Sequence, residues 1–234
     1  MRGLLFQLSG PWAQFRRPET NNTPLTHDFV TKTALVGLIG AVLGFEREDM
    51  RKRFPVLCDD LVYGVEIIGA VNKQSWAFTL RNVMKHNDAD GKAPRQMEFI
   101  RNPNYLVAIG LYNERSAAVF DQFDAALRNS EAKYTPVLGL HNCPAELRWF
   151  ESVTFREASG QFATRSFAPS KNKFVGAIDT SFRIGFDRIP THQSENWWNT
   201  PNRYIDVVYP SDGSTLRMDG EHFVSDKGTA WCLI

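Results

Sequence analysis

The apolar pattern of the chain is dominated by Thr31 to Phe45, TKTALVGLIGAVLGF, its longest apolar run. Glycines recur at Gly37, Gly40 and Gly44, and at helical spacing they share one stripe, where another backbone can approach closely. Leu35, Val36, Leu38, Ile39, Val42 and Leu43 fill the rest of the circumference, so the pattern predicts a helix buried nearly all round. Thr31 or Thr33 can cap it. The helix is expected to continue or restart over Glu46 to Arg53 and to stop at Pro55.

Runs with strand character surround this helix. Gly3 to Ser9 is a strand expected inside a sheet and ended by Gly10-Pro11. Leu61 to Val71 reads as the second strand. Ser75 to Val83 and Gln96 to Arg101 flank a polar tip, MKHNDADGKAPR, and predict a protruding hairpin over about 75–101. Tyr105 to Tyr112 is a further strand. Glu114 to Asn129 follows as an amphipathic helix with Ala118, Phe120, Phe123, Ala126 and Leu127 mostly on one side. Tyr134 to Glu151 is a Pro/Gly-punctuated turn into a strand or edge segment. The order β-α-β-(β-β)-β-α-β predicts an α+β fold, a ferredoxin-like split βαβ domain with an inserted β-hairpin thumb over residues 1–150. Beyond Val153, aromatic stretches alternate with turns and predict a small β-rich C-terminal appendage over 151–234.

At 234 residues the chain has room for one well-packed domain, or a domain and an appendage. Cys58, Cys143 and Cys232 follow no metal-ligand spacing and read as reduced thiols. His27, His141, His192 and His222 are equally scattered, so neither a metal nor a cofactor is expected. The apolar run from Leu35 to Phe45 is too short for a membrane span, which needs about 20 residues. With no signal-peptide pattern, the expected location is cytoplasmic, without membrane contact. The net charge of +1 argues against a freestanding nucleic-acid binder. Its distribution is less neutral: residues 1–53 carry eight Lys/Arg against five Asp/Glu, and residues 71–101 and 155–188 carry six against three. Such alternation suits one basic face and another surface for protein contacts, although ordinary solvated charge gives the same count.

Trp12, Phe15, Arg16 and Arg17 set flat π-faces beside guanidinium groups, as single-stranded RNA requires. The competing role is a core plug with solvated arginines. Lys32-Thr33 opens a helix but lacks the glycine loop of a nucleotide-binding motif, so nucleotide hydrolysis is not expected. One phosphate could still rest on Lys32 and the helix N-terminus. In the hairpin, Lys85, His86, Lys92 and Arg95 can clamp phosphates. Lys171 and Lys173, in a polar loop, can add to them or remain solvated. Trp197-Trp198 suits either a protein interface or a small core.

Three blocks then fall in a telling order: GPWAQFR after the first strand, TPLTHDFVTKTALVGLIGAVLG, and YTPVLGLHNCPAEL after the second helix. Together they resemble the fifth-numbered family of CRISPR-associated (Cas) proteins, in the RAMP superfamily, over roughly residues 1–150. Subunits of type I-B-like systems look most similar. The resemblance implies an RRM-like RAMP domain with a thumb, in a non-catalytic subunit that caps one end of a Cascade surveillance complex. It implies that this subunit grips the 5′ handle of the crRNA, docks beside the large and backbone subunits, and meets target DNA through the complex. The candidate RNA-binding residues are then Trp12, Phe15, Arg16, Arg17, Thr26, His27, Lys32, Thr33, Lys85, His86, Arg95, Lys171 and Lys173. In subtype I-C the family member is instead a metal-independent endoribonuclease processing precursor crRNA. Tyr63, Lys85 and His86 could fill its acid, base and charge-stabilising roles. A generic ferredoxin-like interaction module without RNA is the third reading.

Overall fold

The computed structural model describes residues 1–20, 22–81, 92–176, 183–196 and 200–234. In chain order the elements are β1 (Arg2–Ser9), β2 (Trp12–Ala13), α1 (Lys32–Leu43), α2 (Arg47–Asp60), β3 (Leu61–Ile67), β4 (Lys73–Arg81), β5 (Lys92–Arg101) and β6 (Asn104–Leu111). Then follow α3 (Ala117–Asn129), β7 (Glu146–Thr164), β8 (Ala168–Pro169), β9 (Lys173–Phe174), β10 (Ile184–His192), β11 (Arg203–Pro210), β12 (Leu216–Ser225) and β13 (Ala230–Trp231). The fold is mixed α/β and rich in strands.

The main sheet runs β13-β12-β7-β1-β6-β3, with β9 added on β12. Every pairing in it is antiparallel. Strand alternation explains how β1 serves two cores. Leu4, Phe6 and Leu8 enter the large cluster beneath the helices, while Leu5 joins Val153, Phe155, Trp231 and Leu233 on the other face. The helices α1 and α2 link β1 to β3, and α3 links β6 to β7.

α1 begins where Thr31 Oγ1 accepts the Ala34 N–H and ends at Gly44, whose φ of 72° is the left-handed conformation glycine adopts without cost. The glycine stripe does not receive a backbone. A methyl on Gly40 would strike the Met50 side chain of α2, and one on Gly37 would meet nothing within 4 Å. The expected stop at Pro55 is also corrected, because α2 continues to Asp60 with Pro55 inside it. One missing N–H donor is outweighed by burial of Phe54, Leu57 and Cys58 around it. The final Asp60 carboxylate is held by Arg115 at 2.6 and 2.9 Å and by Ser116 at 2.5 Å.

The expected boundary at residue 150 falls inside β7. Residues 146–154 of this strand pair with β1 and residues 155–164 with β12. Phe167, Ile189, Val207 and Tyr209 share the large core with N-terminal residues, so the two expected units have one sheet and core in common. A second sheet, β10-β11-β8, lies within the C-terminal part. The hairpin β4–β5 pairs from Lys73↔Ile100 to Arg81↔Lys92, and β2 lies along β5 to make a third sheet. Its tip, with Lys85 and His86, lies outside the described residues, as do Trp197 and Trp198.

Candidate nucleic-acid interface

Alternation along β4 puts Gln74, Trp76 and Phe78 on one side of the hairpin sheet. The register sets Trp76 opposite Met97, Phe78 opposite Arg95, and Gln74 opposite Phe99. Residues directly opposite in an antiparallel pair share a face, so Arg95, Met97 and Phe99 lie beside these rings. β2 extends the same face, because Trp12 sits opposite Arg101. The ring centroids of Trp12 and Trp76 are 4.5 Å apart at 62°, Phe78 and Phe99 5.6 Å, and Trp76 lies 6.2 Å from both phenylalanines. Phe99 is buried and anchors the group, whereas Trp76 is 39% exposed. Arg95 and Arg101 are exposed as well. Half-open rings with guanidinium groups on one face can stack bases and pair phosphates together.

The other side of this sheet is tied to the protein body. Lys73 contacts Asp28 at 2.6 Å and Glu98 at 3.2 Å and donates to the Thr26 carbonyl at 3.0 Å. The Thr26 N–H donates to Glu98. These bonds seat the hairpin on the loop that follows Trp12.

That loop accounts for several expected RNA contacts differently. Phe15 is 3% exposed and packs beside Tyr105. Its N–H donates to Thr26 Oγ1 at 2.9 Å, and Thr26 and His27 are fully buried. Asp187 of β10, also buried, contacts His27 Nδ1 at 2.9 Å and receives an Arg17 guanidinium bond at 2.8 Å. Burial pushes the Asp187 carboxyl up, but the bonds from His27 and Arg17 outweigh it and hold the group below its ordinary value. Enclosure leaves Phe15, Thr26 and His27 no surface to offer RNA, and the expectation of contact there gives way to a role in fixing the loop. Arg16 stays exposed on the strand-like bridge to Thr26, and Arg17 is spent on Asp187.

The three sequence blocks meet here. Gln14 N–H donates to Leu138 at 3.0 Å, and His27 N–H to Phe15 at 2.9 Å. At Gly139, where φ is +92°, a side chain would collide with the Gln14 carbonyl. The YTPVLGL block is therefore a close-packed buttress for the loop carrying Trp12.

Lys32 is 6% exposed at the start of α1, and Thr33 Oγ1 lies 3.2 Å from Thr31 Oγ1. Lys171 pairs with Glu221 at 2.5 Å beside a cleft of about 910 Å³ that Glu157 and Asp206 also line. Lys173 faces Asp219 across β9–β12. Neither lysine joins the hairpin face. Tyr63 is enclosed in β3, and burial pushes its phenol well above the ordinary value. Among the described residues, no group of three or more His, Cys, Asp or Glu could hold a metal ion, and no helix is long and apolar enough to cross a membrane. Trp76 and Phe78 were not among the expected contacts, though the alternation in SWAFTL carried their signal.

The strand-rich body with its hairpin sheet shares its fold with two solved structures. Over 99% of this chain it superposes on 98% of a CRISPR protein from Archaeoglobus fulgidus, with a TM-score of 0.61 at 13% identity. It covers 90% of a chain of a CRISPR RNA-guided surveillance complex, and 90% of itself, with a TM-score of 0.54 at 13% identity. At sequence level the CRISPR-associated protein (Cas_Cas5) family matches residues 3–197, and the chain belongs to that family. A curated relative, the CRISPR system Cascade subunit CasD of Escherichia coli (strain K12), is 25% identical over 155 residues. That alignment spans 60% of this chain and 66% of the relative, just under two thirds of its length.

Proposed function

We propose that this chain is a non-catalytic RNA-binding and assembly subunit of a type I Cascade complex, of type I-B-like character. Its hairpin face grips the 5′ handle of the crRNA, and its body caps the complex beside the large and backbone subunits. Target DNA is then met through the complex. The observation that carries this reading is the Trp12–Trp76–Phe78 face flanked by Arg95 and Arg101. The strand order β7-β1-β6-β3, with helices between β1 and β3 and between β6 and β7, supports its ferredoxin-like, RAMP description. The family membership and the similarity to a Cascade subunit support its place in such an assembly.

Enclosure of Tyr63 favours binding over cleavage, since a buried phenol with a raised pKa is a poor base. Incubating the full chain with labelled single-stranded repeat RNA in EDTA tests both parts. The expected result is a retarded, intact RNA. Specific cleavage under these conditions would replace this proposal by the precursor-processing endoribonuclease, and no retardation would remove the RNA role.

A further inference from the structure

We infer that the cleft between β11 and β12 seats an extended segment of a partner protein, held through a basic side chain. Ala168 and Val208 of the second sheet meet Leu216, Met218 and Cys232 in one apolar cluster. Beside that cluster lies the cleft of about 910 Å³, walled by residues 204–206 of β11 and 221–223 of β12. β8 pairs with β11 at Val207 and Val208, and the Ser170 N–H then donates to the Asp206 carbonyl. Among the described residues, Tyr204 and Ile205 therefore have a strand neighbour on the β10 side alone. An open strand edge along a cleft accepts an extended chain by main-chain pairing.

The polar lining of the cleft is mostly acceptors. Among the described residues that line it, Glu157, Asp206 and Glu221 stand against one lysine, Lys171, which Glu221 already holds at 2.5 Å. Asp206 meets Arg188 only at 3.9 Å, with both groups mostly exposed, and Glu157 has no partner among the described residues. His222 adds an independent sign. Its ring is 8% exposed and stacks on Phe162, and its Nδ1 lies 3.1 Å from the Gly220 carbonyl. A carbonyl only accepts, so Nδ1 carries a proton and the neutral ring offers Nε2 as an acceptor. Nε2 forms no bond among the described residues, yet it is not one of the enclosed atoms without partners. A covered ring with a reachable free nitrogen, in the lining of a cleft, is placed for a donor from outside. Cys232 does not make the cleft catalytic: burial pushes its thiol up to about 12, so it stays neutral. Ile205 and Leu233 supply apolar lining. The complementary ligand is cationic, rich in donors and carried on an apolar stem, as arginine and lysine side chains are. A nucleic-acid strand, negative and rich in acceptors, is the wrong partner here. The inference deepens the assembly part of the proposed function and shares no residue with the hairpin face.

The test uses the full chain, wild type and a double variant, Glu157→Gln with Asp206→Asn, against pools of short synthetic peptides. Each pool fixes one residue type at its centre and mixes the others. Wild type should bind the arginine and lysine pools about tenfold more tightly than the glutamine pool, the size of one charge-assisted bond. The double variant should lose that preference while keeping its melting temperature and its affinity for single-stranded repeat RNA. His222→Phe, which preserves a ring against Phe162, should lose part of it and serves alone should the double variant fail to fold. The RNA measurement on the same proteins reads the hairpin proposal separately. A preference for the basic pools that is equal in wild type and variants, or absent from wild type, overturns the inference. Spermidine bound as tightly as the basic pools overturns it too, in favour of a small polyamine.

Discussion

Trp76→Ala weakens binding of single-stranded RNA by roughly tenfold to a hundredfold, because one base–aromatic stack is worth about 1–3 kcal/mol. The ring is 39% exposed beside Trp12, Phe78 and Phe99, so part of its surface is open to a base. The buried Phe99 keeps the hairpin sheet anchored in the variant, and the melting temperature should change little. Trp12→Ala produces a loss of similar size. The double variant should lose less than the sum, since rings 4.5 Å apart share one binding surface. Fluorescence anisotropy of a labelled oligonucleotide checks all three. Unchanged affinity in Trp76→Ala would separate the hairpin face from RNA.

Asp187→Ala acts on stability instead, lowering it by about 3 kcal/mol or more. His27 is fully buried and loses the acceptor of its Nδ1, and Arg17 loses its close carboxylate. Arg17 is 24% exposed in its side chain and regains some water, which keeps the expected cost near the lower end of that range. The pH dependence has a definite sign. Asp187 has a folded-state value below the ordinary carboxylate value of about 3.9, so its contribution is complete above that value. It disappears as pH falls through the lower, folded-state value. Urea unfolding across acidic pH should therefore show a limb in wild type that Asp187→Ala lacks. A variant as stable as wild type at neutral pH would mean that the Arg17–Asp187–His27 contact contributes nothing net.

Much of the scaffold is legible in the residues. The apolar run becomes α1, Thr31 caps it, and the alternation in GLLFQLS becomes the central strand β1. The polar tip between two strand-like runs marks the hairpin. Legibility fails where distant partners decide. Pro55 reads as a helix stop, yet neighbours far along the chain bury the residues around it and α2 continues. Residues 146–164 form one strand because β1 covers its first part and β12 its second, a pairing no local pattern encodes. The candidate site follows the same division. Aromatic and cationic types near residue 12 point to RNA chemistry, but only the register separates Trp12, which joins Trp76, from Phe15, which enters the core. His27 and Arg17 look like ligands in sequence because their partner, Asp187, lies 160 and 170 residues away.

RNA on the hairpin face is read most directly by ultraviolet cross-linking of single-stranded repeat RNA to the full chain. Mass spectrometry of the adducts should find RNA on the peptides containing Trp12 and Trp76, with the yield at each lost when its ring is replaced by alanine. Adducts confined to β10, β11 and β12, with both tryptophan peptides unmodified, would contradict the account.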